Sequence, residues 1–513
     1  MSIKKRFLVS VGANVARAGL SLIVGLLVAR GLGPADYGNL AYLLGSFWAI
    51  RALLDMGMAS AFYTFIAQKH RGSQYYLVYF GWLAFQFFFS VGLVALLLPS
   101  SVVDRFWLGQ SGELILLAFL ATFLQNQIWQ TVVQIHEAAR KTIKVQMAGL
   151  LIISVHLLLV VLMLFFGWLD VQTVLWAIIA EYLVAAVWLA GTLRATTDEC
   201  EDDQDSLHKV LLEYLQYCQP MIVIAIFTFA YEMADRWLLQ RFGGASQQGF
   251  FQVASQLSTI SLLATTSILN ILWKEVAEAC ERGEHTRVIQ LHQKSTRLLV
   301  LLAATVSCFL GPWSEQLVGV LLGNAYHAAW PVLFLMLFYP IHQAMGQING
   351  TLFMATGRNT TYMKITMAGL LVSMPVSYVL IAPVSSAWLP GLGMGAMGLA
   401  IKVVGVNFVF VNIQSWLISR HYGTAFHWQY QVTAILALLA LGYVARWMVQ
   451  GFVPDSVQIQ GGMSMLATLI GIAVSGLLYL AGLFVLITKV PAVIGLKRDE
   501  VDGFLNKIRC AVR

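Results

Sequence analysis

Runs of about twenty apolar residues recur along this chain at short intervals, separated by brief polar connections. A helix needs roughly that many residues to cross about 30 Å of hydrocarbon, and a soluble core does not. Only 11% of the 513 residues are charged and 59% are hydrophobic, whereas a soluble globular protein carries about 25% charged residues. The chain therefore reads as an all-α polytopic membrane protein. Its opening, MSIKKRFLVSVGANVARAGLSLIVGLLVAR, has a basic tip, a long apolar run and no small-residue cleavage site. It is expected to be the first transmembrane helix rather than a removed signal peptide.

Fourteen spans are expected, near 7–30, 39–66, 75–98, 112–135, 145–167, 173–193, 210–239, 249–272, 298–318, 330–354, 365–384, 393–417, 431–452 and 462–488. With the N-terminus inside, the even-numbered connections and both tails hold 24 of the 32 basic residues, while the opposite loops hold Arg30, Arg105 and Arg241. Cytoplasmic loops collect Lys and Arg in this way, and a miscount by one helix would scramble the alternation. Both termini are thus expected in the cytoplasm. The same rule accounts for the net charge of +7, so no nucleic-acid partner is expected. The five cysteines fall in loops placed inside (Cys200, Cys280, Cys510) or in apolar segments (Cys218, Cys308). With no CxxC or metal-ligand spacing, reduced thiols and no metal site are expected.

Two stretches repeat. KVQMAGLL at 144–151 recurs as KITMAGLL at 364–371, an offset of 220 residues. LGPADYGNLAYLL (32–44) is echoed by FGGASQQGFFQVA (242–254); Gly33 aligns on Gly243 at an offset of 210, and one inserted residue brings Gly38 onto Gly249. Both repeats match the first helix to the seventh and the fifth to the eleventh. The expected architecture is two six-helix bundles of equal orientation, 1–193 and 210–417, with two appended helices over 431–488 and a basic tail at 489–513. Such parallel repeats are a transporter design. RATTDECEDDQDSLHK, 194–209, reads as a solvated acidic linker, and 273–297 as an amphipathic extension at the cytoplasmic membrane surface. No outer loop is long enough for an independent domain.

VARGLGPADYGNLAYLL (28–44) resembles the N-terminal signature of bacterial polysaccharide transport proteins, the O-antigen-type flippases of the multidrug, oligosaccharidyl-lipid and polysaccharide exporter superfamily. ADRWLLQRFGGASQQGFFQVA (234–254) is similar to the second-half counterpart, and EAARKTIKV, MATGRNTTYMK and GLGMGAMGLAI sit where that family has comparable segments. The resemblance covers helices one to twelve. It implies movement of an undecaprenyl-pyrophosphate-linked oligosaccharide from the cytoplasmic to the outer leaflet of a bacterial inner membrane. It further implies alternating access driven by a proton or sodium gradient, no cofactor, polysaccharide polymerases as partners and a monomeric chain. The two added helices are expected to shape a groove for the lipid tail, as the resemblance to lipid II flippases implies.

Ionisable groups inside a membrane are functional candidates by default, because insertion alone costs at least ~2.5 kcal/mol. Arg17 and Arg51 enter from opposite sides to similar depth, and Lys402 lies about nine residues into the twelfth helix. If the halves face each other, these cations converge on a central cavity. Arginine binds phosphate oxygens as a fork and lysine as a point charge. Asn14, on the same face as Arg17 (i, i+3), joins them as a candidate cargo ligand, and Arg17 has no acid nearby in sequence. Two of the cations also have a bland reading: Arg51 pairs with Asp55 four residues on, and Lys402 is satisfied by Asn407 and another helix. Glu181, Asp55, Glu232 and Asp235 are the carboxylates able to carry the coupling ion. Glu181 has no nearby base in sequence, and Asp235 with Arg236 reads as a gate or a fold-holding contact. His156 and His342 read as hydrogen-bonded core residues. Arg446 is expected to snorkel to the outer surface. The clusters QNQ (125–127) and QING (347–350) either line a sugar path or bond helices together. Gly393-x-Gly395-x-x-Gly398 spells a dinucleotide fingerprint but opens an apolar span, so close helix packing is the better reading. NTT at 359–361 spells a glycosylation acceptor in a loop placed inside, and no phosphate-loop motif points to ATP hydrolysis.

Two other classes compete. A cation-coupled small-molecule exporter of the same superfamily would favour an acidic or neutral cavity, against Arg17, Arg51 and Lys402. A membrane glycosyltransferase or polymerase would need a large outer loop, and none exists. No enzymatic activity is therefore expected.

Overall fold

The computed structural model describes residues 3–69, 71–94, 98–192, 206–262, 265–386, 389–426, 428–452, 462–494 and 498. Every regular element among them is helical. The chain divides into two compact units, Met1–Gly249 and Phe250–Arg513.

The first unit contains α1 (Ile3–Asp55), α2 (Met58–Gln68), α3 (Ser73–Gly92), α4 (Ser100–Trp107), α5 (Gly112–Phe123), α6 (Trp129–Ala138), α7 (Thr142–Phe166), α8 (Val171–Gly191) and α9 (Leu207–Leu238). Local chemistry sets several boundaries. Ser111 caps α5 by accepting from the Leu114 N–H at 3.3 Å. Asp170 and Thr173 form a reciprocal capping box at the start of α8, which satisfies two orphan donors at once. α1 packs on α5, α7 and α9, and α9 also packs on α2 and α3. Around Phe62, Phe65, Tyr75, Tyr79 and Tyr214 an aromatic core joins α2, α3 and α9, with Phe62 stacked on Tyr79 at 4.0 Å between centroids.

The second unit comprises most of α10 (Ala245–Ser258), then α11 (Thr265–Glu281), α12 (His285–Leu310), α13 (Ser314–Leu322), α14 (Trp330–Met336), α15 (Tyr339–Ala355), α16 (Asn359–Ile381), α17 (Gly395–His421), α18 (Gln429–Val449) and α19 (Gly462–Lys489). α12 packs on α15 and α18, and α17 packs on α15 and α16. The two appended helices dock on the end of α12. A Cβ on Gly442 would lie 2.4 Å from the Cys308 carbonyl, and one on Gly476 would lie 3.3 Å from the Phe309 ring.

Among the described residues, length and apolarity single out 11 stretches able to cross a membrane, or 12 when Ser100–Trp107 and Gly112–Ala138, bent by 64°, count as one. Fourteen were expected, and two local features account for the remainder. Gly12–Asp55 is one helical stretch of 44 residues, about 66 Å at 1.5 Å per residue, so it contains one expected span and most of the next. Gly33 (φ 76, ψ 171) followed by Pro34 kinks it between them. The expected span 249–272 is divided among α10, a tight turn at Thr259–Leu262 and α11, with 14 and 17 residues in the two helices.

The glycine repeat is exact in a register different from the expected one. Gly33 (φ 76, ψ 171) has its conformational twin in Gly244 (φ 83, ψ 174), not Gly243, so no inserted residue is needed before Gly38 and Gly249. The two copies also touch reciprocally. A Cβ on Gly38 would lie 1.8 Å from the Ala245 carbonyl oxygen, and one on Gly249 would lie 2.2 Å from that of Pro34. Only glycine permits backbones to approach this closely.

The acidic linker lies outside the described residues up to Asp205, and from Leu207 the chain is already α9, packed within the first unit. The basic tail is described only to Ile494 and at Arg498, so Cys510, like Cys200, lies outside. The expected surface extension 273–297 is split between the end of α11 and the first half of α12, joined by a turn at Gly283 (φ 72).

Candidate functional site

Arg17 and Arg51 belong to the same long helix but meet different neighbours. The Arg17 guanidinium donates to the Asn14 side-chain Oδ1 at 2.6 Å, on the face the two residues were expected to share. It also lies over α7, where a Cβ on Gly149 would come within 2.9 Å of its Nη1. That glycine is the one in KVQMAGLL, so the first repeated motif supplies the flat surface on which the arginine rests. In the second copy Gly369 faces the Phe410 ring instead, 3.2 Å from where its Cβ would be.

Arg51 does not close the alternative ion pair with Asp55 to contact distance, although the two charges lie near each other. Met56 (φ 48) and Gly57 (φ 92) end the helix immediately after Asp55, and the Asp55 carboxylate turns forward to accept the Ala59 N–H at 3.2 Å, capping α2. Arg51 instead lies over the Trp48 ring at 5.4 Å. It lines a small cavity of about 20 Å³, room for about one water molecule, shared with Gln86, Ser90, Thr122 and Gln127, whose other walls include Phe47, Phe119 and Phe123. Arg51 Nε, Gln86 Nε2, Ser90 Oγ and Thr122 Oγ1 are buried without hydrogen-bond partners. An unsatisfied buried polar atom costs about 1–3 kcal/mol, so four around one small cavity call for a bound water or another polar group between them. Sequence reasoning missed Gln86 and Ser90, whose signal is two polar residues at i, i+4 within an aromatic helix.

Glu181 does have a base, though a distant one in sequence. Its Oε1 meets His156 Nδ1 at 3.0 Å across α7 and α8, both side chains buried, while Oε2 has no partner. Glu232 holds Arg236 at 3.3 Å through its carboxylate and at 3.0 Å through its carbonyl. Gly45 leaves room for that arginine, since a Cβ there would sit 2.3 Å from its Nε. The ion pair lies within α9, and Arg236 packs that helix closely on α1 at Gly45. Asp235 is buried on the same turn of α9.

Lys402 belongs to the second unit, almost fully buried on α17. Asn407, considered as its partner, donates instead to the Tyr339 carbonyl at 3.4 Å. The amide clusters bond helices together. Gln125 donates to Tyr182 at 3.1 Å and Gln127 to Gln86 at 2.6 Å from a π-helical turn. Asn349 donates to Ser415 at 2.8 Å and receives His292 at 2.9 Å. Arg446 does not snorkel outward: it donates to the Pro312 carbonyl and lies over Trp313 at 5.4 Å. A second network went unread in the sequence because Arg71 counted only toward topology. Arg71 binds Tyr75 at 2.6 Å and Glu213 at 3.2 Å, and Tyr75 donates to Glu213, locking the α2–α3 turn to α9.

The family model described as polysaccharide biosynthesis protein matches residues 3–270, more than half of the chain. The amylovoran biosynthesis protein AmsL of Erwinia amylovora is 28% identical over 152 residues, which is 29% of this chain and 39% of that protein's length. Among solved structures, lipid II flippase MurJ in an inward closed conformation superposes with a TM-score of 0.65 at 13% identity, over 93% of this chain and 99% of that one. An inward-facing multidrug resistance MATE family transporter of the MOP superfamily gives 0.60 at 15% identity, over 82% and 99%. A MOP superfamily transporter from Pyrococcus furiosus gives 0.54 at 14%, over 82% and 96%. At these identities the likeness is one of fold.

Proposed function

The chain belongs to the polysaccharide biosynthesis protein family, and from that premise we propose that it is a flippase for an undecaprenyl-pyrophosphate-linked oligosaccharide. It carries this cargo from the cytoplasmic to the outer leaflet of the bacterial inner membrane by ion-coupled alternating access, with both termini in the cytoplasm. One observation carries the reading. Among the described residues, neither Arg17 nor Arg51 has a carboxylate in direct contact, although both lie in an apolar membrane helix and each has an acid nearby, Glu137 and Asp55. A cation in that setting calls for a counter-charge, and a pyrophosphate supplies one that arrives and leaves with the cargo. Lys402 adds a cation in the second unit. The buried His156–Glu181 pair is the favoured carrier of the coupling proton or sodium ion, ahead of Asp55 and Glu232, which cap a helix and hold Arg236.

The test is flipping of an undecaprenyl-pyrophosphate oligosaccharide in proteoliposomes. Arg17→Ala and Arg51→Ala should each slow it at least ~10-fold with folding intact, since a charge-assisted hydrogen bond contributes about 1.5–3 kcal/mol. Activity retained in both variants would remove the binding-site assignment. No flipping by inserted wild-type protein, under either gradient, would favour export of a small molecule.

A further inference from the structure

The second unit holds a pocket that the transport reading leaves unused. It lies where α15 stops at Ala355, α16 begins at Asn359 and α17 stops at His421. Its volume is about 220 Å³, smaller than a drug-sized site but ample for a phosphate group. One wall is apolar, made by Leu352, Phe353, Leu417 and Ile418. The other carries Arg358, Arg420 and His421, all exposed, with Thr361 beside them.

No carboxylate lines this pocket, and among the described residues neither Arg358 nor Arg420 has an ion-pair partner. Three of the four glutamates of the adjoining α11–α12 hairpin are already engaged, and the fourth, Glu281, is exposed and does not line the pocket. Glu278 meets Lys274 and Arg282, and both Glu275 and Glu284 meet Arg287. That hairpin adds another basic group rather than an acid, since the His285 ring lies 6.3 Å from Tyr422. The α16 N-terminus opens at the same place without a side-chain cap, so its free N–H groups and dipole add to the positive field. Like charges gathered without a counter-ion repel one another, and a bound anion relieves them.

The surroundings select a lipid over a soluble anion. On the helix turns nearest the pocket, Met354, Met363 and Trp416 are exposed apolar side chains. Arg420 lies over the Trp416 ring at 5.5 Å, and tryptophan with arginine at a helix end is the usual signature of headgroup depth. Arg358 and Arg420 also fall in connections expected on the same basic face of the membrane, where anionic lipids bind basic pockets between helices. We infer that this pocket binds the phosphate headgroup of an anionic phospholipid, between Arg358 and Arg420, with an acyl chain along the apolar wall.

The inference is independent of the cargo assignment, and the experiment reads binding rather than flipping. Delipidated full-length protein in detergent is titrated with phosphatidylglycerol and with phosphatidylcholine and followed by native mass spectrometry. Two arginines at a charged lipid surface correspond to about 30-fold in affinity. Phosphatidylglycerol should therefore bind about 30-fold more tightly than phosphatidylcholine, and Arg358→Gln/Arg420→Gln should reduce it to the phosphatidylcholine level. Arg358→Lys/Arg420→Lys should keep most of the preference, and Arg282→Gln, already paired with Glu278, should keep all of it. Equal binding of the two lipids, or a preference surviving the glutamine pair, overturns the inference. Inorganic phosphate competing at the same concentrations would make this a soluble-anion site instead. Preferential displacement by undecaprenyl pyrophosphate would assign it to the cargo.

Discussion

Glu181 gives one carboxylate oxygen to His156 and leaves the other buried and unpartnered. A buried acceptor in that state invites a proton or a small cation, and the structural and coupling roles of the residue separate under substitution. Glu181→Gln keeps an oxygen for the His156 ring and should change thermal stability little. Glu181→Leu strands a buried imidazole nitrogen, which costs about 1–3 kcal/mol and should lower Tm by several degrees. If the pair carries the coupling ion, both variants lose the gradient dependence of flipping. A Gln variant that still responds to the gradient would sink the coupling role and leave a purely structural pair. Arg51 makes a related point at the same scale. An alternative partner lies four residues away, yet the helix ends at Asp55, and that carboxylate bonds the start of α2.

Between elements, the decisive contacts are glycine against backbone. Gly38 on Ala245 and Gly249 on Pro34 bring the two copies of the repeated turn together at distances no side chain tolerates. Gly38→Ala and Gly249→Ala should each destabilise by about 1–3 kcal/mol, the usual cost of overpacking. Their combination should fall short of the sum, because both changes open one interface. Gly19→Ala is the contrasting case: nothing lies within 4 Å of the added methyl, and helix propensity favours alanine by about 1 kcal/mol. Thermal unfolding in detergent measures all four. A Gly38→Ala variant as stable as wild type would mean the close approach is not maintained.

For the whole molecule, the open quantity is how many times the chain crosses the membrane, since α10 and α11 fall short of a span individually. Side-specific thiol labelling decides it. With the native cysteines replaced, single cysteines at Lys141, Arg358 and Arg420 should label from the cytoplasmic side, and those at Arg105, Trp168 and Val384 from the other. If the segment 245–281 does not cross, Arg358 and Arg420 will label with Trp168 instead. That outcome would also move the proposed lipid pocket to the opposite leaflet.

By itself the sequence determined the membrane class, the helices and the repeat. Each rests on local physics: a helix closes its own hydrogen bonds, lipid demands long apolar runs, and a left-handed glycine followed by a crowded one marks a turn wherever it occurs. It also nominated the charged residues, because charge inside apolar runs is rare. Only the tertiary structure decided what those residues do. His156 finds Glu181 because α7 and α8 pack in one register, and the Arg51 cavity needs α1, α3 and α5 together. The basic pocket gathers residues from 352 to 422, far apart in the chain. Such partnerships depend on the rotation of each helix about its axis, which kinks such as those at Gly33 and Gly57 reset and which periodicity alone does not carry across a break.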